Sequence, residues 1–342
     1  MTSTSFRVTW IEAQSNFVAS ATETVLEAAR RAGVTLPAEC EFGGCGTCRV
    51  KLVQGRVHYD EPPLALAPDE AAQGYALMCQ ARAQTDLAIS TERVLDAPAP
   101  ARRRRATVVR TQKLCGDVTR LVLAFDDGAP FVFRPGQYLN VLLGEAGSRS
   151  FSMASQPGDT HIELQIREIE GGYFTQTLLG TLHEGDALDV EGPLGGFGYH
   201  EEDYRPIVMA ATGTGVAPLA GMLAAILAAD DAPPVDLYWG ARTQADLYLH
   251  EHFSQLAARH EDFRYVPVLS RAGEAWAGAR GYVQDAVLAD HTDLSEHALY
   301  LCGSPGMIAD ARRAFLANGA SVRYLYADSF TFQHPQPAPA GI

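Results

Sequence analysis

The sequence predicts a multidomain chain: a small N-terminal α+β unit, an antiparallel β-barrel, and a C-terminal α/β domain on a doubly wound parallel sheet. Three observations carry this. Apolar residues keep a strand period through the middle of the chain, then alternate after Arg205 between strand runs and helical stretches. Ala97-Pro98-Ala99-Pro100-Ala101 interrupts the chain with the composition of a linker. Finally, 342 residues, 47% of them hydrophobic, call for two or three cores rather than one. The resulting parts are 1–96, a connecting segment 97–105, 106–202, 203–332, and a three-proline tail 333–342 expected to be disordered.

In the first part, Phe6–Ile11 alternates as a strand. Thr24-Val25-Leu26-Glu27 has the hydroxyl-to-carboxylate spacing of a capping box and opens a short helix that Gly33 ends. Arg49–Val53 reads as a further strand. Arg102 to Arg105 close the connecting segment and are read as a solvated face rather than a docking patch. In the middle part, Thr107–Arg110, Thr119–Phe125, Tyr138–Leu143, Ile162–Arg167 and Ala187–Val190 are short strand runs separated by turns, the pattern of a barrel. In the last part, strands at Ile207–Ala211, Val235–Trp239, Phe263–Leu269, Leu299–Leu301 and Val322–Tyr326 interleave with helices at Leu219–Leu227, Leu247–Arg259, Val283–Ala289 and Gly306–Leu316.

The most specific chemistry lies in four cysteines. Cys40, Cys45 and Cys48 form a C-x4-C-x2-C run, and Cys79 follows after thirty intervening residues. This is the plant-type spacing for a [2Fe–2S] cluster, which needs four thiolates converging on two irons. Gly43, Gly44 and Gly46 let the loop approach inorganic sulfide and aim amide N–H groups at it. A structural zinc site usually shows two C-x2-C hooks, whereas one is present here. With no histidine among the ligands, a Rieske centre is excluded. Cys115 and Cys302 are left as free thiols, the usage of a reducing cytoplasm.

Thr212-Gly213-Thr214-Gly215-Val216-Ala217-Pro218 follows the first strand of the last part and opens its first helix. Glycines there admit a pyrophosphate to a helix N-terminus. The run is not G-x-G-x-x-G, and the second strand ends in Gly240-Ala241-Arg242 with no acid for a ribose. In the barrel, Arg149-Ser150-Phe151-Ser152 combines a guanidinium, an aromatic plane and hydroxyls. Gly171-Gly172-Tyr173-Phe174-Thr175 is a glycine turn ending in a hydroxyl, a form suited to an anion.

In this order, and with Leu301-Cys302-Gly303-Ser304-Pro305 after them, these motifs resemble the ferredoxin–NADP reductase superfamily. With the cysteine run in front, the chain from Phe6 to Phe330 resembles the reductases of bacterial aromatic-ring dioxygenases, among them the carboxybenzoate, terephthalate and naphthalene systems. The resemblance implies a β-grasp ferredoxin, an FAD-binding barrel and a nucleotide domain. It implies that Arg149 and Ser150 hold the FAD pyrophosphate side, Phe151 packs on the isoalloxazine, and Ser152 bonds near N5. Gly171, Gly172, Phe174 and Thr175 would meet FAD phosphates, and Gly213, Thr214, Gly215, Val216 and Pro218 would take the NADH or NADPH pyrophosphate. Cys302 and Gly303 would flank the nicotinamide, and Phe330 would lie near the flavin's other face. Arg242, Ser270 and Arg271, at two strand ends, would meet a 2′-phosphate or ribose, with NADH slightly favoured. Two positions depart from the family: Phe151, where tyrosine is common, and Glu41, where a base is common and an acid should make cluster reduction harder.

The implied activity is electron transfer from NAD(P)H through FAD and the cluster to a terminal oxygenase, here a Rieske non-haem iron component. Flavin is the link that takes hydride and releases single electrons. A monooxygenase or another acceptor is the alternative partner. A nucleotide-binding sensor with zinc in the cysteines is the alternative from another class, which visible absorption would separate. A net charge of −14 makes nucleic acid and anionic membranes poor partners. Met1–Phe6 shows no secretory start, and no apolar run is long enough to span a bilayer, so the protein is expected in the cytoplasm.

Overall fold

The computed structural model describes residues 4–38, 40–91 and 100–330. The tail 333–342 and residues 97–99 of the expected linker lie outside the described residues. Two compact units are present. One comprises the N-terminal part together with Pro305–Ala314 and Ala327–Ser329, and the other comprises the rest.

The N-terminal part runs β1 Ser5–Trp10, β2 Ser15–Ser20, α1 Val25–Arg31, β3 Arg49–Gln54, β4 Val57–His58, α2 Pro68–Ala72, β5 Tyr75–Leu77, β6 Arg82–Ala83 and β7 Leu87–Ser90. Its main sheet has the order β2-β1-β7-β3-β5. β1 and β7 pair in parallel, Val8 opposite Leu87, while β1–β2 and β3–β7 are antiparallel. Both halves of the capping box form: Glu27 N–H donates to Thr24 Oγ1 at 3.2 Å, and Thr24 N–H donates to Glu27 Oε2 at 2.8 Å. Val25, Leu26, Ala28 and Ala29 of α1 then join Val8, Phe17, Leu77 and Ile89 in one core. Gly33 follows at φ +73°, as a helix stop should.

The middle part comprises β8 Arg102–Cys115, β9 Val118–Phe125, β10 Tyr138–Leu142, β11 Ser148–Ser152, β12 His161–Arg167 and β13 Ala187–Leu194. The strands are ordered β11-β10-β13-β8-β9-β12. A Met153–Leu164 bridge and an Ala154 N–H to Glu163 O bond of 2.9 Å join the two ends and close the barrel. Arg102 to Arg105, expected as a solvated linker face, instead begin β8. Arg103 stands opposite Glu191 and Arg105 opposite Asp189 on β13, with ion pairs of 3.2 and 3.8 Å. Arg104 turns the other way, stacks 3.9 Å above the Phe125 ring and pairs with Asp127. Opposite charges facing each other across a ladder stabilise a run that looks self-repelling when read alone. β11 was also missed as a strand, because it was read only as a binding motif.

The last part contains β14 Ile207–Thr212, α3 Val216–Leu227, β15 Val235–Ala241, α4 His250–Ala257, β16 Phe263–Leu269, β17 Ala279–Arg280, α5 Val283–Asp290, β18 Ala298–Gly303, α6 Pro305–Ala317 and β19 Leu325–Ser329. The sheet order is β17-β16-β15-β14-β18-β19. The chain moves outward from β14 on one side and resumes on the other, which puts the topological switch between β14 and β18. α3 starts earlier than expected, with Pro218 in its first turn, where a missing N–H costs nothing. The expected strand Val322–Tyr326 is displaced. Ser321 Oγ accepts from Arg323 N–H at 3.3 Å and holds Val322–Tyr324 in a 3-10 turn, so β19 begins only at Leu325.

Candidate functional site

The four cysteine thiols come together two and two. Cys48 Sγ lies 3.1 Å from Cys79 Sγ, and the Cys40 and Cys45 thiols are hydrogen-bonded to each other. Amides of Gly44 and Cys45 donate to Cys40 Sγ at 3.2 and 3.3 Å, and that of Thr47 reaches Cys45 Sγ at 3.5 Å. Gly43 sits at φ +78°, and a Cβ there would fall 2.8 Å from Pro63 Cβ. The hydrogen bond within each pair lowers one thiol, Cys40 or Cys79, below the ordinary range. The same bond, reinforced by burial, pushes Cys45 and Cys48 well above it. Among the described residues no three His, Cys, Asp or Glu side chains gather as for a single metal ion. Two pairs of thiols with amides aimed at sulfur suit a two-iron cluster. Glu41 adopts φ +58° and is paired with Arg30, whose Nη1 donates to Oε2 at 2.8 Å. Its charge is therefore compensated, and the expected penalty on cluster reduction is reduced accordingly.

In the barrel, β10 and β11 set Asn140 opposite Ser150 and Leu139 opposite Phe151. Ser150 Oγ donates to Asn140 Oδ1 at 2.7 Å, and Arg149 Nη1 donates to the Ser148 carbonyl at 2.8 Å. The Phe151 ring is 5.3 Å from Phe174, tilted by 42°. Phe174 is fully buried in the barrel core, so its side chain supports Phe151 rather than meeting a phosphate. Ser152 is buried opposite Tyr138. The Gly171–Thr175 turn is largely self-bonded. Gly171 N–H donates to Gln176 Oε1 at 2.8 Å and Gly172 N–H to Ile169 O at 2.8 Å, while Thr175 Oγ1 accepts from Ile169 N–H at 3.1 Å. A cleft of about 640 Å³ opens beside this region, lined by Arg103, Arg105, Ser148, Asp189 and Glu191. Its guanidiniums are already paired with acids.

In the nucleotide part, Gly213–Gly215 forms a single 3-10 turn between β14 and α3. Gly213 has φ +56°. A Cβ on Gly215 would stand 2.2 Å from the Cys302 carbonyl oxygen, so the two loops at the switch point touch backbone to backbone. Val216 and Pro218 are buried under the turn and Thr214 is half-exposed. Trp239 Nε1 donates to Gly213 O at 2.9 Å and pins it. Cys302 is fully buried in the domain core, leaving its carbonyl and Gly303 at the strand end. Phe330 N–H donates to Gly303 O at 2.8 Å, uniting those two expected site residues. Arg271 N–H donates to Arg242 O at 2.8 Å, which brings the two strand ends together. Both side chains are exposed, with no carboxylate partner among the described residues. Ser270 Oγ is taken up by Ala241 O at 3.3 Å. Sequence reasoning missed Arg167, whose guanidinium lies 3.0 Å from a Cβ built on Gly213. It sits on β12, and nothing in its local sequence ties it to a turn some 45 residues away.

Comparison with known proteins matches three domain families to this chain. Residues 8–84 match the 2Fe-2S iron-sulfur cluster binding domain, 105–199 the oxidoreductase FAD-binding domain, and 209–313 the oxidoreductase NAD-binding domain. The reductase subunit of an aromatic O-demethylase from Amycolatopsis sp. (strain ATCC 39116 / 75iv2) is 36% identical, over 90% of this chain and 94% of its own length. The CDP-6-deoxy-L-threo-D-glycero-4-hexulose-3-dehydrase reductase of Yersinia pestis is 31% identical, over 92% and 95%. Reductase component 2 of terephthalate 1,2-dioxygenase from Comamonas sp. is 33% identical, over 90% and 92%. Among solved structures, the Amycolatopsis cytochrome P450 reductase GcoB superposes with a TM-score of 0.70 at 33% identity, covering 95% of this chain and 98% of that one. No helix among the described residues is long and apolar enough to cross a membrane.

Proposed function

The chain belongs to the family of NAD(P)H oxidoreductases that join a 2Fe-2S domain to FAD- and NAD-binding domains, and on that premise we propose that it is the electron-supplying component of an oxygenase system. FAD, when bound, takes hydride and passes on single electrons. The observation that carries the reading is the pairing of four thiols, three of them buried, in a chain that also holds both nucleotide-type domains.

Cys40, Cys45, Cys48 and Cys79 hold the cluster, with the amides of Gly44, Cys45 and Thr47 aimed at the sulfurs that ligate it. Arg149 and Ser150 orient the FAD phosphate side. Phe151, propped by Phe174, gives the isoalloxazine a plane, and Ser152 offers a hydroxyl near N5. The Gly171–Thr175 turn shapes the phosphate end through its fixed conformation rather than through free amides. Gly213 to Pro218 receive the nicotinamide nucleotide pyrophosphate, with Cys302, Gly303 and Phe330 bounding the ring. Arg242 and Arg271 form an uncompensated cationic pair where a 2′-phosphate would lie, so NADPH is accepted beside NADH. None of the six cysteines forms a disulfide, in keeping with a reducing cytoplasm.

The oxygenase partner is supported by relatives that serve an aromatic O-demethylase and a terephthalate dioxygenase. A second reading, reduction of a sugar-nucleotide dehydrase, is favoured by the Yersinia relative of similar coverage. Replacing Cys48 by Ser tests the electron route. NAD(P)H–ferricyanide activity should persist while cytochrome c reduction and support of an oxygenase are lost. A variant that still feeds its natural acceptor at the parental rate would refute the route.

A further inference from the structure

The first unit includes a buried cation that no cysteine motif announces. Arg312, in the Pro305–Ala314 segment of that unit, is 4% exposed. Its Cζ, Nη1 and Nε would stand 3.0, 3.1 and 3.3 Å from a Cβ built on Gly46. Three nearly equal distances mean that the guanidinium lies face-on against the bare backbone between Cys45 and Cys48. Gly46 has φ +82°, so a side chain there would be strained as well as in the way.

Glu70 answers this charge only in part. Its Oε1 is 3.7 Å from Arg312 Nη2 and forms a closer pair with Arg49, and all three side chains are 10% exposed or less. The other Glu70 oxygen accepts from Ala67 N–H at 2.9 Å. Arg312 and Arg49 both draw on this one carboxylate, and Arg49 holds the closer contact. Arg312 Nη2 has no hydrogen-bond partner among the described residues. Burial, with Arg49 nearby, lowers Arg312 to about 10, which still leaves it charged at neutral pH.

We propose that Arg312 is a fixed counter-charge for the iron–sulfur cluster, raising its reduction potential and seating the Gly46 loop. The inference rests on the thiolate assignment above. Reduction adds one electron and no proton to a group already held by four thiolates. The negative charge grows by one unit, and a cation in a poorly solvated site favours the reduced form. Glu41, the acid nearest the first cysteine in sequence, is paired with Arg30 and so does not offset Arg312.

The test is a spectroelectrochemical titration of the full chain, read as the cluster midpoint. Arg312→Gln should shift it negative by about tenfold in the reduction equilibrium, ~59 mV for one electron. Glu70→Gln should shift it positive, and Arg312→Lys should stay near the parent. Shifts of opposite sign support the inference. An unmoved midpoint in Arg312→Gln with parental absorption and EPR spectra overturns it. If Arg312→Gln fails to load, Glu70→Gln decides alone, and a midpoint at or below the parental value overturns the inference. Absence of any [2Fe–2S] signal from the parent protein would instead overturn the functional reading.

Discussion

Ser152 ends β11 almost enclosed, in register with Tyr138, one residue beyond the Phe151 plane. Removing its hydroxyl leaves the backbone ladder and the Phe151–Phe174 contact intact, so the flavin site should stay filled. Ser152→Ala is therefore expected to slow flavin reduction by NAD(P)H about ten- to a hundredfold, the scale of an unsupported reacting group. Stopped-flow traces matching the parent would dismiss the role. Cys302 belongs to a different class. Its thiol is fully buried, so its position matters to the site through the carbonyl packed against Gly215.

Among the elements, the β14–α3 turn depends on a residue from the neighbouring strand. Trp239→Phe would keep the ring contacts with Tyr248 and Phe253, at 5.1 and 5.9 Å, while deleting the N–H bonded to Gly213 O. A hydrogen bond of about 0.5–1.5 kcal/mol implies a nucleotide KM raised about two- to tenfold with kcat nearly unchanged. An unaltered KM would show that the turn is held by other means. This dependence also explains what was legible in advance. Phe263–Leu269 could be bounded from sequence because its apolar run is local, and the cysteine spacing identified the donor set because the loop is contiguous. Arg102 to Arg105 misled because their partners, Asp189 and Glu191, arrive more than eighty residues later. Arg167, Trp239 and Arg312 were invisible for the same reason. Each acts on a loop distant in sequence, and a lone basic or aromatic residue carries no periodicity.

For the whole molecule, one compact unit gathers the thiols and the other holds the barrel and most of the nucleotide sheet. A two-electron donor site and a one-electron acceptor site are thus encoded in a single polypeptide, with a net charge of −14 and the barrel's arginine run neutralised across its ladder. The parallel pairing of β1 with β7 also governs when the acceptor site can exist. β7 is the central strand that joins the β1–β2 hairpin to β3 and β5, so the sheet stays in two halves until Leu87–Ser90 is available. Such long-range closure is slow and cannot begin from the N-terminus alone. On the ribosome, the cysteine loop emerges well before the strand that fixes its surroundings. A nascent chain arrested short of Leu87 should take up no stable iron, while the full-length chain should load.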